Sequence, residues 1–588
     1  MKITQNLLLI FLFLFITNDL FAGLGTTTWG PGGIKRDVEV NEIEEIESEE
    51  KQKDTSDSND EFKAIELNNI DSNTIGIITE DEGGLSYNMW AGSEINIIKD
   101  YLKNVPINKE SNLAIDLIKK LLLSTAAVEG SKGDTDLILL RISKLIELGD
   151  FENAKSLIDL MVETENEEIL IKQTEINLSL NNFDIVCLDI EERRKKFKEN
   201  FFWKKVEIFC QVLNNEANKA NLALTLLRED ESFSDVNFLK IIDSLIYKDE
   251  IYNENLDNLD LLNLTMTRVA NINIKESYVL KDDPLHLSMI YRMSNVPIKL
   301  RIKAIEKSKK LLNLPIETIE EIYNSYDVKE KDKKISLKED ILLGYETQAI
   351  LFQMAIAEDD KEKRAKIIKK SLKLASANGN FSLISRLNLN SLLEIKPSKK
   401  LSWFAIYATK ALLISNKTDE AIKWYEVLKK EKDNNIELFN NFVDLWVILE
   451  FLNLKNNESE YKNISQNEIL KSINQYQLKN ESLKFSTFGF YILEVFGKKI
   501  NPEFWLINLD NQEIESKHLP NSSLISLLKH SSKNNKIGET ILLILMSLNG
   551  QNFSQLHPFF LQIVITSLNQ IGLKEKTFDL VIETLIDI

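Results

Sequence analysis

A chain of 588 residues with a formal charge of −19 is too long for one hydrophobic core, and at 28% charged residues it is too polar for a polytopic membrane protein. Its apolar content of 43% is ample for burial, whereas nine prolines and nineteen glycines are too few for a β-rich, turn-dense architecture. The acidic balance disfavours nonspecific binding to nucleic acid.

In chain order the first predicted element is an export signal over 1–22. Lys2 supplies a positive charge ahead of the unbroken apolar run Leu7–Ile16, and Ala22 places a small residue before Gly23. That run is too short to span a bilayer as a helix, which takes about 20 residues. Leu20, bulky and close to the cleavage point, keeps an uncleaved anchor as the competing reading. No cysteine lies near the cut, which excludes lipidation of an N-terminal cysteine. No later apolar run approaches about 18 residues without a charge, so no membrane span is expected after cleavage. The expected location is exported and periplasmic.

Charge is concentrated just behind the signal. Residues 35–82 hold seventeen acidic and five basic side chains, a net −12 that leaves −7 for the rest. The run EIEEIESEEKQKDTSDSNDE has too little apolar surface to offset the entropy of ordering. Residues 23–90 are therefore expected to form a disordered acidic tether, a solvated spacer in preference to a bait for a basic partner. Within it, Thr74–Thr79 (TIGIIT) has the composition of a short strand. Trp29 and Trp90 flank the charged run and are candidate docking aromatics. Trp90 is expected to fold onto the first helix, whose N-cap is read as Ser93.

Helix periodicity dominates 91–480. Leu113, Leu117, Ile118, Leu121 and Leu122 recur at three- and four-residue steps along one face. Pro315 opens PIETIEEIYN, and Pro297, Pro397 and Pro502 are read likewise at first helical turns, where proline is tolerated. The turns repeat as well. Gly149, Phe151 and Ala154 of LGDFENAKSLI reappear as Asn181, Phe183 and Val186; NGNFSLISRL supplies Phe381 and Ile384, and SNKTDEAIKWYEVL supplies Ala421 and Tyr425. A small residue at the turn, an aromatic, and a small residue where two axes approach to about 8–10 Å form a tetratricopeptide-like pattern. The predicted fold is all-α, an α-solenoid of degenerate tetratricopeptide-like hairpins, roughly a dozen at ~35–40 residues each. Residues 481–588 are less regular. Phe488, Phe490, Tyr491, Phe496, Phe504 and Trp505 are read there as core, and the final GLKEKTFDLVIETLIDI as an amphipathic helix capping the solenoid.

Export would place Cys187 and Cys210 in an oxidising compartment. They fall in two predicted helices, Phe183 to about Arg194 and Phe202 to about Leu213, nearly equidistant from a turn centred on Lys198. An antiparallel hairpin brings such positions level, so a disulfide is geometrically possible. Two free, buried cysteines acting as small hydrophobes are the alternative.

The run FFWKKVEIFCQVLNNEANKANLALTLLRED, its partner Cys187, and the ending SLNQIGLKEKTFDLVIETLIDI resemble a family of exported bacterial helical-repeat proteins sometimes labelled "antifreeze glycopeptide". The similarity extends over most of the chain after about Gly83. It implies a helical-repeat fold and export, and carries no activity or site residues. The label itself finds no Thr-Ala-Ala repeat or regular threonine array here.

No phosphate loop, His-Glu-x-x-His or Gly-x-Ser-x-Gly motif is present. His286, His518, His530 and His557 are too scattered to suggest metal-ligand spacing, and His286 is read as a surface-loop residue. The basic run Arg193–Lys198 is read as solvated cations at a helix C-terminus, where the helix dipole favours them. No catalytic, metal or cofactor site is expected. The expected function is that of a protein-binding scaffold or adaptor in envelope assembly or maintenance, gripping a protein or peptide on a concave helical face. The alternative is a cell-wall glycan-cleaving enzyme, for which Glu481-Ser482 would be the starting pair although a glycine-glutamine context is missing.

Overall fold

Seven of the helix-to-helix turns among the described residues reverse by one device. At Gly149, Asn181, Asn215, Gly379, Asn416, Asn535 and Gly572 the backbone enters the left-handed region, with φ between 53° and 82°. The next residue's N–H then reaches back five positions: Asp150 donates to the Leu145 carbonyl at 2.8 Å, Lys417 to Leu412 at 2.8 Å and Leu573 to Leu568 at 2.9 Å. This is the Schellman closure, which satisfies carbonyls that a helix end leaves open. Glycine adopts the conformation freely and asparagine tolerates it, which explains the residue types found there. Five positions past each turn residue stand Ala154, Val186, Ala220, Ile384, Ala421, Thr540 and Thr577, none more than 4% exposed. The aromatic recurs only at Phe151, Phe183 and Phe381; the equivalent positions elsewhere are Ala217, Thr418, Ile537 and Lys574. Turn and close-packing position thus define the unit, while the aromatic is optional.

A computed structural model of the chain describes residues 73–107, 111–130, 135–161, 166–247, 256, 259–274, 283–308, 315–336, 344–455, 461–479, 483, 488–507 and 517–587. All of them belong to the unit Leu67–Ile588. The described residues are almost entirely α-helical, and consecutive helices stack on one another in a solenoid-like succession. The expected signal, Trp29, most of the acidic tether and Glu481-Ser482 lie outside the described residues.

Several boundaries differ from expectation. Residues 73–90, assigned to the tether, are part of the folded body, because Arg141 holds them there. Its guanidinium is 5% exposed and donates to the carbonyls of Leu122 (2.8 Å), Asn73 (3.2 Å), Ile75 (2.7 Å) and Ser124 (3.3 Å). Burial pushes this arginine down to about 10, still charged at neutral pH. The strand expected at Thr74–Thr79 is reduced to one bridge between Ile78 and Ser124, since Ile77 and Ile78 both donate to the Leu123 carbonyl, at 2.8 and 3.2 Å. The first long helix begins at Ile95 with Glu94 as its N-cap. Ser93 instead donates its hydroxyl to Glu539 Oε2 at 2.9 Å. Pro297, Pro315 and Pro502 directly precede helices Ile298–Ser308, Ile316–Asn324 and Glu503–Ile507, whereas Pro397 stands ahead of a 3₁₀ turn, Lys399–Phe404.

The stack closes on itself in two places. Helix Glu167–Leu180 packs against Leu261–Val269 and Pro284–Arg292, and Arg268 donates to the Leu178 carbonyl at 3.2 Å. The larger closure joins residues far apart in the chain. Trp90 lies so close over Gly538 that a Cβ there would fall 2.4 Å from the indole, and the Gly538 N–H donates to the Met89 carbonyl at 2.9 Å. Trp90 therefore folds onto helix Ile537–Leu548 and is no free docking aromatic. The last helix, Lys574–Asp587, packs against Asn112–Leu123, Ala405–Ile414 and Ile436–Lys455. It is wedged between early and late helices and does not cap an outer end. Glu583 accepts the Leu113 N–H at 3.0 Å, Lys576 pairs with Asp116 at 2.9 Å, and Lys410 reaches the Ile586 carbonyl at 3.0 Å.

Two outcomes follow from these contacts. Gly538→Ala forces a methyl into the Trp90 ring and should lower stability by about 1–3 kcal/mol in urea unfolding, the usual cost of overpacking. Gly379→Ala places a Cβ in the left-handed region and should cost about 1–2 kcal/mol, while Asn416→Gly, which relieves the same restriction, should cost nothing measurable in the same assay.

Candidate functional site

The hairpin around the two cysteines is braced by a disulfide and also turns apolar side chains to solvent. Cys187 and Cys210 form a disulfide with Cα atoms 5.5 Å apart. The predicted first helix is broken in two, Phe183–Leu188 and Ile190–Lys196, and both pieces pack on Phe201–Leu213, which in turn packs on Ala217–Glu229. Beneath the disulfide, Phe183 meets Phe209 edge-on with centroids 5.9 Å apart. Trp203 donates to Glu167 Oε1 at 3.0 Å, and Arg193 lies over its ring at 5.7 Å while donating to Thr174 and Gln173. Farther along, Lys205 is held between Asp235 and Asp260, each at 2.8 Å. Burial works against its charge, but the two carboxylates win and hold the ammonium above its ordinary value. Both aspartates also cap helix starts, Asp235 accepting from the Phe238 N–H and Asp260 from the Asn263 N–H. One cation thus ties this hairpin to the next two helices.

On this braced frame Leu188 is 79% exposed, Ile185 49%, Leu222 65% and Leu226 60%. Ile185 and Leu188 share a face three residues apart, and Leu222 and Leu226 share one four apart. The two helices flank Phe201–Leu213, and Glu191 beside Leu188 feels the charge of Lys219 beside Leu222. The sequence reading missed these residues. The signal was available: in ANKANLALTLLRE, Ala220, Leu224 and Leu227 are the buried stripe, and Leu222 with Leu226 form a second stripe that the fold does not use.

Other expected residues fall elsewhere. The basic run 193–198 is largely engaged: Arg193 as above, Arg194 with Glu207 at 3.1 Å and Lys195 with Glu191 at 2.7 Å. His286 is not a loop residue. It sits in the first turn of Pro284–Arg292, with Nδ1 2.8 Å from Asp283 and Nε2 3.0 Å from the Leu259 carbonyl. Of the six aromatics expected as core after 481, Phe488, Phe490 and Phe504 are buried, at most 2% exposed and with the last two rings 4.7 Å apart, whereas Tyr491, Phe496 and Trp505 are only partly buried.

A polar cavity of about 380 Å³ lies between Trp446, Glu450, Asn463, Gln466 and Lys498. Its carboxylate is fully engaged. Glu450 pairs with Lys498 and accepts from Asn463 at 2.8 Å, while Asn463 in turn accepts from the Tyr425 hydroxyl. The network pins segment 461–465 to helix Ile436–Lys455, aided by Trp446 donating to the Ile464 carbonyl at 2.8 Å. No group of three or more metal-ligating side chains converges among the described residues, and none of the described helices is long and apolar enough to cross a membrane. The chain matches no protein-family model, no curated protein and no solved structure.

The disulfide closes a loop of 23 residues. Replacing both cysteines by serine should lower stability by about 3 kcal/mol on the chain-entropy account. The check is a comparison of urea midpoints for the oxidised protein and the double variant.

Proposed function

We propose that this chain is an exported, protein-binding scaffold or adaptor of the cell envelope, built from degenerate tetratricopeptide-like hairpins. The observation that carries the reading is the pair of exposed apolar stripes, Ile185 with Leu188 and Leu222 with Leu226, on either side of the disulfide-braced helix. Exposed apolar side chains scattered singly are ordinary; two pairs, each on one helix face of a disulfide-braced frame, suit a partner with an apolar face of its own. The disulfide supports an oxidising compartment, and with it the export signal over 1–22. The concave face invoked for binding is a less suitable surface where helix Lys574–Asp587 fills the space between early and late helices. Binding is accordingly assigned to the disulfide hairpin.

The test is site-specific photo-crosslinking in envelope fractions, with the photoreactive residue at Leu188, at Leu222, and at Lys533 as a remote exposed control. The first two positions should trap the same protein and the third should not. Leu222→Asp combined with Leu226→Asp should reduce that adduct at least tenfold, in line with about 1.5–3 kcal/mol per buried leucine side chain. Different adducts from the two positions, or an adduct indifferent to the double substitution, would reject the reading.

A further inference from the structure

The acidic character of the chain conceals a cationic block. Residues 361–410 carry twelve basic side chains and two acidic ones, Glu362 and Glu394, a net +10 in a protein of −19. The helix Lys361–Ala377 buries Arg364, Ala365, Ile367, Ile368, Ser371, Leu372 and Ala375. At 100° per residue these define one side, and Lys363, Lys366, Lys369, Lys370 and Lys373 fall within the opposite third of the circumference. The 3₁₀ turn Lys399–Phe404 packs against this helix and extends the charged face with Lys396, Lys399 and Lys400.

The two acids of the block do little to neutralise that face. Glu394 is taken up by Lys361 at 2.9 Å and by Arg364, which is 4% exposed; their contacts pull its carboxyl down to about 2. Glu362 pairs with Lys366 at 3.0 Å at the first turn, and Glu431 reaches in to Lys399 at 3.2 Å. The helix itself contributes no acid to the two C-terminal turns of the face, although Glu437 of a neighbouring helix lies close enough to Tyr407 to help burial push its hydroxyl up. Aromatic rings stand beside these turns: Lys369 Nζ is 5.1 Å from the ring centroids of both Trp403 and Tyr407, and Lys373 is 6.0 Å from that of Tyr407. Both rings are half-buried, and Leu393, next to Glu394 in the chain, is 42% exposed.

We infer that this face is a peripheral docking surface for an anionic phospholipid bilayer. Its exposed helix cations are all lysines, which are compact charges without the guanidinium fork that reads a single phosphate in a fixed geometry. They suit a diffuse field of lipid phosphates, to which each lysine near the surface contributes about 1 kcal/mol. Tryptophan and tyrosine, amphipathic rings half-sunk in the protein, settle at headgroup depth, and an exposed leucine adds apolar contact there. The attachment is a surface one and involves no spanning segment.

The experiment is co-sedimentation of the full chain with vesicles of phosphatidylcholine alone and of phosphatidylcholine mixed with phosphatidylglycerol. Binding is expected only to the mixed vesicles and should weaken steeply with added salt. Lys366→Glu, Lys370→Glu and Lys373→Glu together should reduce partitioning by about 100-fold or more. A second variant, Lys396→Glu with Lys400→Glu, changes exposed side chains outside the long helix and should reduce it by roughly tenfold or more. Unchanged thermal melts confirm that both variants are folded. Charge reversal at Lys195 and Lys196 should leave binding unaltered. No binding, equal binding to neutral vesicles, or binding that survives both variants would overturn the inference. So would displacement by soluble polyphosphate as readily as by anionic lipid, which would make the ligand a free polyanion.

Discussion

The last helix, Lys574–Asp587, is buried around most of its circumference. Leu580, Val581 and Thr584 are 0% exposed, and Leu585 and Ile586 at most 6%. A helix in that position must satisfy packing on several sides at once, and it does so by touching three helices that lie far from it in the chain. Phe578 stacks into Phe451 and Phe496 at 5.5 and 5.7 Å, linking the middle of the protein to its end. Without this helix the early hairpins would present a long apolar groove to water, and the stack would have no reason to close.

Charge is used at these joints in a consistent way. Arg141, Lys205, Glu539 and Glu583 are all mostly buried, and each bridges segments that the local helix pattern would not bring together. A buried ion is a weak source of net stability because desolvation opposes the attraction. It is, however, intolerant of error: a carboxylate that caps the Leu113 N–H or a lysine between two aspartates has one arrangement that satisfies it, and misdocked hairpins leave it unpaired. Apolar stripes make the hairpins adhere, and these ions select which hairpin adheres to which.

Local features were legible in the sequence and distant ones were not. The faces of individual helices follow from apolar spacing, and Leu113, Leu117, Ile118, Leu121 and Leu122 are all buried. Counting residues from the turn placed Cys187 level with Cys210 even though Asp189 breaks the helix between them, because a one-residue break shifts the axis little. The turn residue and the position five beyond it were visible at Gly149 and Asn181; the same rule at Asn215, Asn535 and Gly572 was obscured by requiring an aromatic. The contacts of Trp90 with Gly538 and of Leu113 with Glu583 had no local signature. Periodicity says that a face is apolar and is silent on what covers it. The leucines at 222 and 226 show the converse, a stripe that periodicity reveals and the chain leaves uncovered.

The bond between Leu113 and Glu583 spans 470 residues of sequence. Loop closure over such a distance is slow compared with the zipping of neighbouring hairpins. The early helices therefore wait, incompletely covered, for the last to arrive. Closure is thus a late and non-local event, and hairpins formed in a wrong mutual arrangement can still separate before helix Lys574–Asp587 locks them together.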